Sequence, residues 1–154
     1  MSPKDKPGEK LVATNRKARQ FYDISEKVEA GIALFGSEVK SLRAGQVDLR
    51  DSYADVERGE LFLHKLHLTP TGFSPFAPAP ERKRKLLVRR EELSRLAGKI
   101  SRQGMSLIPL RLYFSPRGWA KVELGLAKVI RKGDRREAIK KREAEKEMRR
   151  VRWG

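Results

Sequence analysis

Three groups of residues in this chain have types and spacings that could do chemistry. His64 and His67 could ligate a metal, but their odd spacing on one strand sends them to opposite faces, and the chain has no cysteine to complete a thiolate site. Asp48, Asp51 and Asp55 could serve as general acid and base, yet beside turns and strand ends such carboxylates cap or solvate the backbone. No G-x-G or G-K-[ST] phosphate loop and no G-x-S-x-G elbow is present. The third group is basic. Lys128 to Gly154 holds 12 Lys or Arg against 5 Asp or Glu, so +7 of the formal +16 lies in the last 27 of 154 residues. The chemistry on offer is the binding of a polyanion, with no catalysis, no metal, no cofactor and no small-molecule substrate.

The elements that carry these residues follow from composition and pattern. The length suits one domain with tails, and 38% hydrophobic residues with 7% aromatic suffice for a small core. No run of about 18 apolar residues exists to span a membrane, and no apolar helix face exists to lie on one. The charged N-terminus lacks the apolar segment of a secretory signal. Absence of cysteine fits a reducing compartment, so a cytoplasmic location is expected. The pI near 10.5 then favours RNA or DNA as partner. Net charge is +4 over residues 1–19 and +5 over residues 20–127. The expected organisation is a flexible basic arm over 1–14, a near-balanced domain over 15–127 and a basic tail over 128–154. The tail is too polar to order itself alone. Arg135 to Arg152 nevertheless lacks Pro and Gly and is rich in helix formers, so the tail is expected to become helical on its partner.

Within the domain, alternation of Val28, Ala30, Ile32 and Leu34 predicts a strand. Gly36-Ser37-Glu38 predicts entry to a short helix capped by Ser37, with Glu38 at its positive end, Val39 and Leu42 facing inward and Gly45 ending it. Tyr53 to Glu57 and Leu61 to Thr69 flank an Arg58-Gly59 turn as a hairpin. Pro70 to Pro80 is a loop whose Phe73 and Phe76 either fold back on the body or stack on a base. Arg82 to Lys85 leads into a helix over Arg90–Gln103, with Leu93, Leu96, Ala97 and Ile100 as its core stripe and Gly104 as its stop. Ile108, Leu110, Leu112 and Phe114, then Ala120, Val122, Leu124 and Leu126, alternate about a Ser115-Pro116-Arg117-Gly118 turn, a hairpin with one buried face. The fold class expected is mainly β: a small OB-type β-barrel with two or three short helices.

Particular residues narrow this further. Asn15-Arg16-Lys17-Ala18-Arg19, Tyr22, Val28 to Leu34 and Gly36 to Gly45 resemble the SsrA-binding protein (SmpB) family. So do Asp51-Ser52-Tyr53, Arg84 to Leu87, Pro109 to Tyr113, Lys121 to Leu124 and Asp134-Arg135-Arg136. The resemblance spans about residues 15–152. It implies an OB-type barrel that binds the tRNA-like domain of tmRNA and is carried with it into stalled bacterial ribosomes for trans-translation. The tail would lie in the vacant mRNA channel and reach the small-subunit decoding centre, and the protein itself would catalyse nothing.

By that resemblance Asn15, Lys17, Tyr22, Glu29, Lys40, Arg43, Leu87 and Arg89 are the expected RNA-binding residues. An Asn amide can pair with a base edge and a Tyr ring can stack on one. Tyr22 could equally be core packing, Lys40 a solvated helix face and Leu87 a core residue. Glu29 would accept from base or ribose donors, orient an arginine, or form a structural ion pair. Arg89 stands where the family often has Asn, and Gly133 where it usually has His or Tyr. In the tail, Arg131, Lys132, Asp134, Arg135, Arg136, Ile139, Lys140, Lys141 and Arg142 are the expected ribosome contacts. Two other readings compete: a structural ribosomal protein with permanently threaded arms, and a small RNA-processing enzyme, which would require a carboxylate cluster, His pair or metal.

Overall fold

The computed structural model describes residues 8–70, 77–130 and 143. Its elements run β1 (Lys10–Thr14), α1 (Ala18–Phe21), β2 (Tyr22–Ile32), α2 (Gly36–Arg43), β3 (Val47–Asp48), β4 (Tyr53–Glu57), β5 (Glu60–His64), β6 (His67–Leu68), β7 (Arg84–Leu87), α3 (Arg90–Gln103), β8 (Ser106–Phe114) and β9 (Ala120–Val129). Seven strands pair antiparallel in the order β1-β8-β4-β5-β7-β2-β9, and β9 pairs again with β8. β3 and β6 form a separate two-stranded ladder. The architecture is thus a major antiparallel sheet with three helices.

α3 spans the residues its periodicity predicts. Glu91 and Glu92 occupy its first turn, Leu96 is fully buried, and Gly104 ends it at φ 63°, in the left-handed region where glycine carries no Cβ penalty. Ion pairs from Arg95 (2.6 Å) and Lys99 (3.2 Å) to Glu26 tie the helix to β2. The first hairpin strand, Tyr53–Glu57, and the turn after it also form as read, with Arg58 and Gly59 both at positive φ, the condition for a two-residue type I′ turn.

Several expectations need correction. Lys10–Thr14 is a strand on β8 rather than part of a flexible arm, because Val12 and Ala13 pack on the core while the backbone pairs. The strand expected over Val28 to Leu34 begins six residues earlier, at Tyr22, and ends at Ile32. α2 starts at Gly36 with Phe35 as its cap. The Glu38 carboxylate reaches back to accept the Phe35 N–H at 2.9 Å, leaving Ser37 inside the helix. Leu61 to Thr69 is not one strand: Lys65 at φ 60° breaks it, so His64 and His67 sit on β5 and β6 rather than on two faces of one strand.

Arg84 and Lys85 belong to a strand instead of a helix lead-in. Arg84 is fully buried, and that is tolerable because Glu38, itself 3% exposed, and the carbonyls of Leu66, Arg82 and Pro80 take its guanidinium. Phe73 and Phe76 lie outside the described residues.

β8 departs most from its reading, since both of its faces are buried. The register with β9 slips between Pro109 and Arg111, a β-bulge at Leu110 that exchanges the two faces. Leu107 therefore points into the main core with Leu112 and Phe114, while Ile108 and Leu110 join Ala18 and Ala127 in a second, smaller cluster. The expected alternation in β9 holds, with Val122, Leu124 and Leu126 in the main core.

Candidate nucleic-acid interface

The second cluster supports one end of a polar surface that crosses β1, β8, β9, β2 and β7. Gly125 permits this packing: a Cβ there would lie 3.1 Å from Ile24 Cγ2 and 3.1 Å from Leu110 Cδ1. Tyr22 and Ile24 cover the cluster. Asn15 is fixed beside it, its backbone N–H donating to the Leu110 carbonyl at 2.7 Å and its Nδ2 donating to the Pro109 carbonyl at 3.1 Å. That leaves the Asn15 Oδ1 as an acceptor. Lys17 is exposed at the N-terminus of α1, and Asn15, Lys17 and Tyr22 all line one groove of about 830 Å³. Asp48, Asp51 and Asp55 line the same groove, where Asp48 holds Arg50 (2.8 Å) and Asp55 accepts the N–H of Val56.

The next zone is charged. Cross-strand register sets Glu29 opposite Glu123, and Gly31 opposite both Lys121 and Leu87. Arg111 Nε donates to Glu123 at 3.0 Å and its NH1 lies 3.4 Å from Glu9, while Lys27 stands 3.9 Å from Glu123. The Arg111 guanidinium sits 4.3 Å over the Tyr113 ring. The Tyr113 hydroxyl donates to Glu29 Oε2. Burial, followed by that bond to an anion, pushes the Tyr113 hydroxyl far above the ordinary tyrosine range, so it is a permanent donor. Glu29 thus pairs with a tyrosine rather than an arginine.

Leu87, at 55% exposure, is not a core residue; it borders Gly31, whose missing Cβ would be 3.5 Å from the Leu87 Cβ. Exposed Arg89 follows as the N-cap of α3. Asn15, Tyr22, Glu29 and Leu87 therefore share one outer surface. Lys40 and Arg43 do not join it through any described contact. They are exposed on α2, with the Arg43 guanidinium 4.8 Å over Phe114. The nine tail residues Arg131, Lys132, Asp134, Arg135, Arg136, Ile139, Lys140, Lys141 and Arg142 lie outside the described residues.

Sequence reasoning passed over Lys121, Arg111 and Tyr113 as site residues. Alternation in the two hairpin strands already placed Arg111 and Tyr113 together, opposite in phase to the apolar residues, and that was the available signal.

Among the described residues no group of three or more His, Cys, Asp or Glu could hold a metal. His64 stacks on Tyr53 with ring centroids 5.0 Å apart and sits 3.0 Å from Glu57, while His67 stands 3.5 Å from Glu81. Among the described residues no helix is long and apolar enough to cross a membrane.

A polar surface with an amide, a ring, a carboxylate and a lysine, on a large antiparallel sheet in a chain of net charge +16, has the chemistry of a basic RNA-binding protein. Residues 12–153 match the family described as SmpB protein. SsrA-binding protein of Moorella thermoacetica is 51% identical over 143 residues, covering 92% of each chain. That of Symbiobacterium thermophilum is 52% identical over 141 residues, covering 91% of this chain and 89% of its own. A solved structure described as "tmRNA-SmpB: a journey to the center of the bacterial ribosome" contains a chain 50% identical to this one. It superposes with a TM-score of 0.67 over 84% of this chain and 94% of that one. The chain belongs to the SmpB protein family.

Proposed function

We propose that the surface bearing Asn15, Tyr22, Glu29 and Leu87 is where this chain meets the tRNA-like domain of tmRNA. The protein binds tmRNA and delivers it to stalled ribosomes in trans-translation, and it works without catalysis of its own. The observation that supports the site assignment is the strand register that sets Tyr22, Glu29 and Leu87 along one outer face, with Asn15 held beside it by the Leu110 and Pro109 carbonyls. Lys17, Lys121 and Arg89 supply cations for phosphates along the same face. Lys40 and Arg43, on α2, form a second basic edge that meets backbone farther along the RNA.

Residues 15–127, with β1 joined to them, are the RNA-binding body, an OB-type barrel. The pairing series that leaves β8 through β4, β5, β7 and β2 and comes back through β9 supports closure. Residues 128–154 form a basic tail that becomes helical in the vacant mRNA channel and reaches the decoding centre through Arg131, Lys132, Asp134, Arg135, Arg136, Ile139, Lys140, Lys141 and Arg142. Its surplus of positive charge supports this, because rRNA lines such a channel and bound mRNA would compete for the same space. With the ribosome as partner, the cytoplasm is the place of action.

The test is binding of the full chain and its N15A, E29Q and L87A variants to a tRNA-like tmRNA fragment, with ordinary tRNA as competitor at near-physiological salt. Tight wild-type binding that resists tRNA, and weaker binding by each variant with an unchanged melting temperature, is the expected result. Equal competition by tRNA would make the chain a general basic RNA binder.

A further inference from the structure

We infer that Tyr113 is a positioning residue for RNA recognition, its buried hydroxyl aiming the Glu29 carboxylate outward while Arg111 fixes the Tyr113 ring. The inference rests on the reading that Glu29 meets the RNA. Glu29 stands exposed on β2 directly across from Glu123, an arrangement of like charges that is unfavourable by itself. The surrounding groups resolve the conflict unequally. Glu123 receives Arg111 at 3.0 Å and Lys27 at 3.9 Å, and Arg111 also reaches Glu9 at 3.4 Å. Among the described residues Glu29 has the Tyr113 hydroxyl as its sole hydrogen-bond or ion-pair partner.

The difference between the two carboxylates is chemical. A guanidinium would neutralise Glu29 and occupy both oxygens. A hydroxyl takes one lone pair, leaves the charge intact and leaves the remaining lone pairs for incoming donors. Tyr113 is 1% exposed and its ring lies 4.3 Å beneath the Arg111 guanidinium, so the donor cannot swing away. Glu29 is thereby held in one orientation before RNA arrives, and its rotamer freedom need not be lost on binding. An oriented, ionised carboxylate accepts from base N–H groups or a ribose hydroxyl and repels phosphate, so this point on a basic surface reads nucleoside edges rather than backbone charge.

The test is a double-mutant cycle in the full-length chain, using Y113F, E29Q and the double variant against the tRNA-like tmRNA fragment at fixed salt. Y113F keeps the buried ring and removes the hydroxyl. It should raise Kd about tenfold, or about 1.4 kcal/mol. E29Q should cost at least as much, and the double variant should bind no more weakly than E29Q alone. Losses that multiply would overturn the positioning role and leave a merely structural tyrosine. Wild-type affinity in Y113F alongside a loss in E29Q would overturn it too, with the site assignment intact. Wild-type affinity in E29Q would sink the assignment of Glu29 to the RNA and the inference with it. If Y113F melts below the assay temperature, R111K runs the same cycle: its effect must vanish in the E29Q background, and persistence there overturns the inference.

Discussion

Arg84 Nε donates to Glu38 Oε2 at 2.7 Å between two buried side chains separated by 46 positions in sequence. The pair joins α2 to β7, and Arg82 extends it with a 2.6 Å contact to the other oxygen of Glu38. Removing one partner of a buried pair strands the other, so E38Q should lower stability by about 3–5 kcal/mol. Chemical denaturation at neutral pH measures this directly, and a variant as stable as wild type would show that the network contributes nothing net.

The same carboxylate sets an acid limit. Burial alone would raise the Glu38 carboxyl, but hydrogen bonds from Arg82 and the Phe35 N–H and the charge of Arg84 hold it below the ordinary 4.5. A carboxyl lower in the folded than in the unfolded chain adds stability that is complete above its ordinary value and lost as pH falls through its folded value. Melting temperature should therefore be insensitive to this group from neutrality down to about pH 5 and fall below that. E38Q should show a shallower acid decline than wild type.

Gly125→Ala places a methyl against Ile24 and Leu110 at once, each at 3.1 Å and each on a different neighbouring strand. The Ile24 and Leu110 side chains must both shift by a few tenths of an ångström within a packed cluster, so the substitution should cost about 1–3 kcal/mol. Thermal unfolding reads the loss. Because Asn15 hangs from the Pro109 and Leu110 carbonyls, RNA affinity should fall as well.

Deleting residues 131–154 should leave tmRNA binding nearly intact and abolish peptide tagging on stalled ribosomes. The truncation keeps every strand and helix of the body and the Ile130 N–H bond to the Phe21 carbonyl. A truncated chain that no longer binds tmRNA would make the tail an affinity arm.

Salt should weaken tmRNA binding by the truncated chain about as steeply as binding by the full chain, because the body makes the phosphate contacts. Neutralising about 6–10 phosphates costs about 10³–10⁵ in affinity between 50 and 200 mM salt. Titrating Kd against salt for both chains gives the two slopes, and a flat slope for the body would assign its affinity to shape and hydrogen bonding.

The parts legible in sequence were those whose signal is local. α3 carried its stripe, acidic first turn and terminal glycine within fifteen residues, and Arg58-Gly59 announced its turn. What escaped depended on distant partners. Arg84 resembles a surface arginine until Glu38 folds over it. The alternation in β8 gave the right strand and mixed its faces, because a bulge is decided by the partner strand and by Pro109, which has no N–H to offer. Lys65 adopts a left-handed conformation with no glycine to advertise it. At the interface, resemblance supplied Asn15, Tyr22, Glu29 and Leu87, while Tyr113 and Arg111 came into view only once register set them against Glu29 and Glu123.

The junction between body and tail has a mechanical consequence. β9 is clamped between β2 and β8, and Val129, its last residue, pairs with Tyr22, the first of β2. Traction along the strand axis, from a tail gripped elsewhere, would load both ladders in shear, so many hydrogen bonds would have to fail together before the strand could slide. A pull on the end of β9 would thus leave intact the face that carries Tyr22 and Glu29, and the body would behave as a stiff handle.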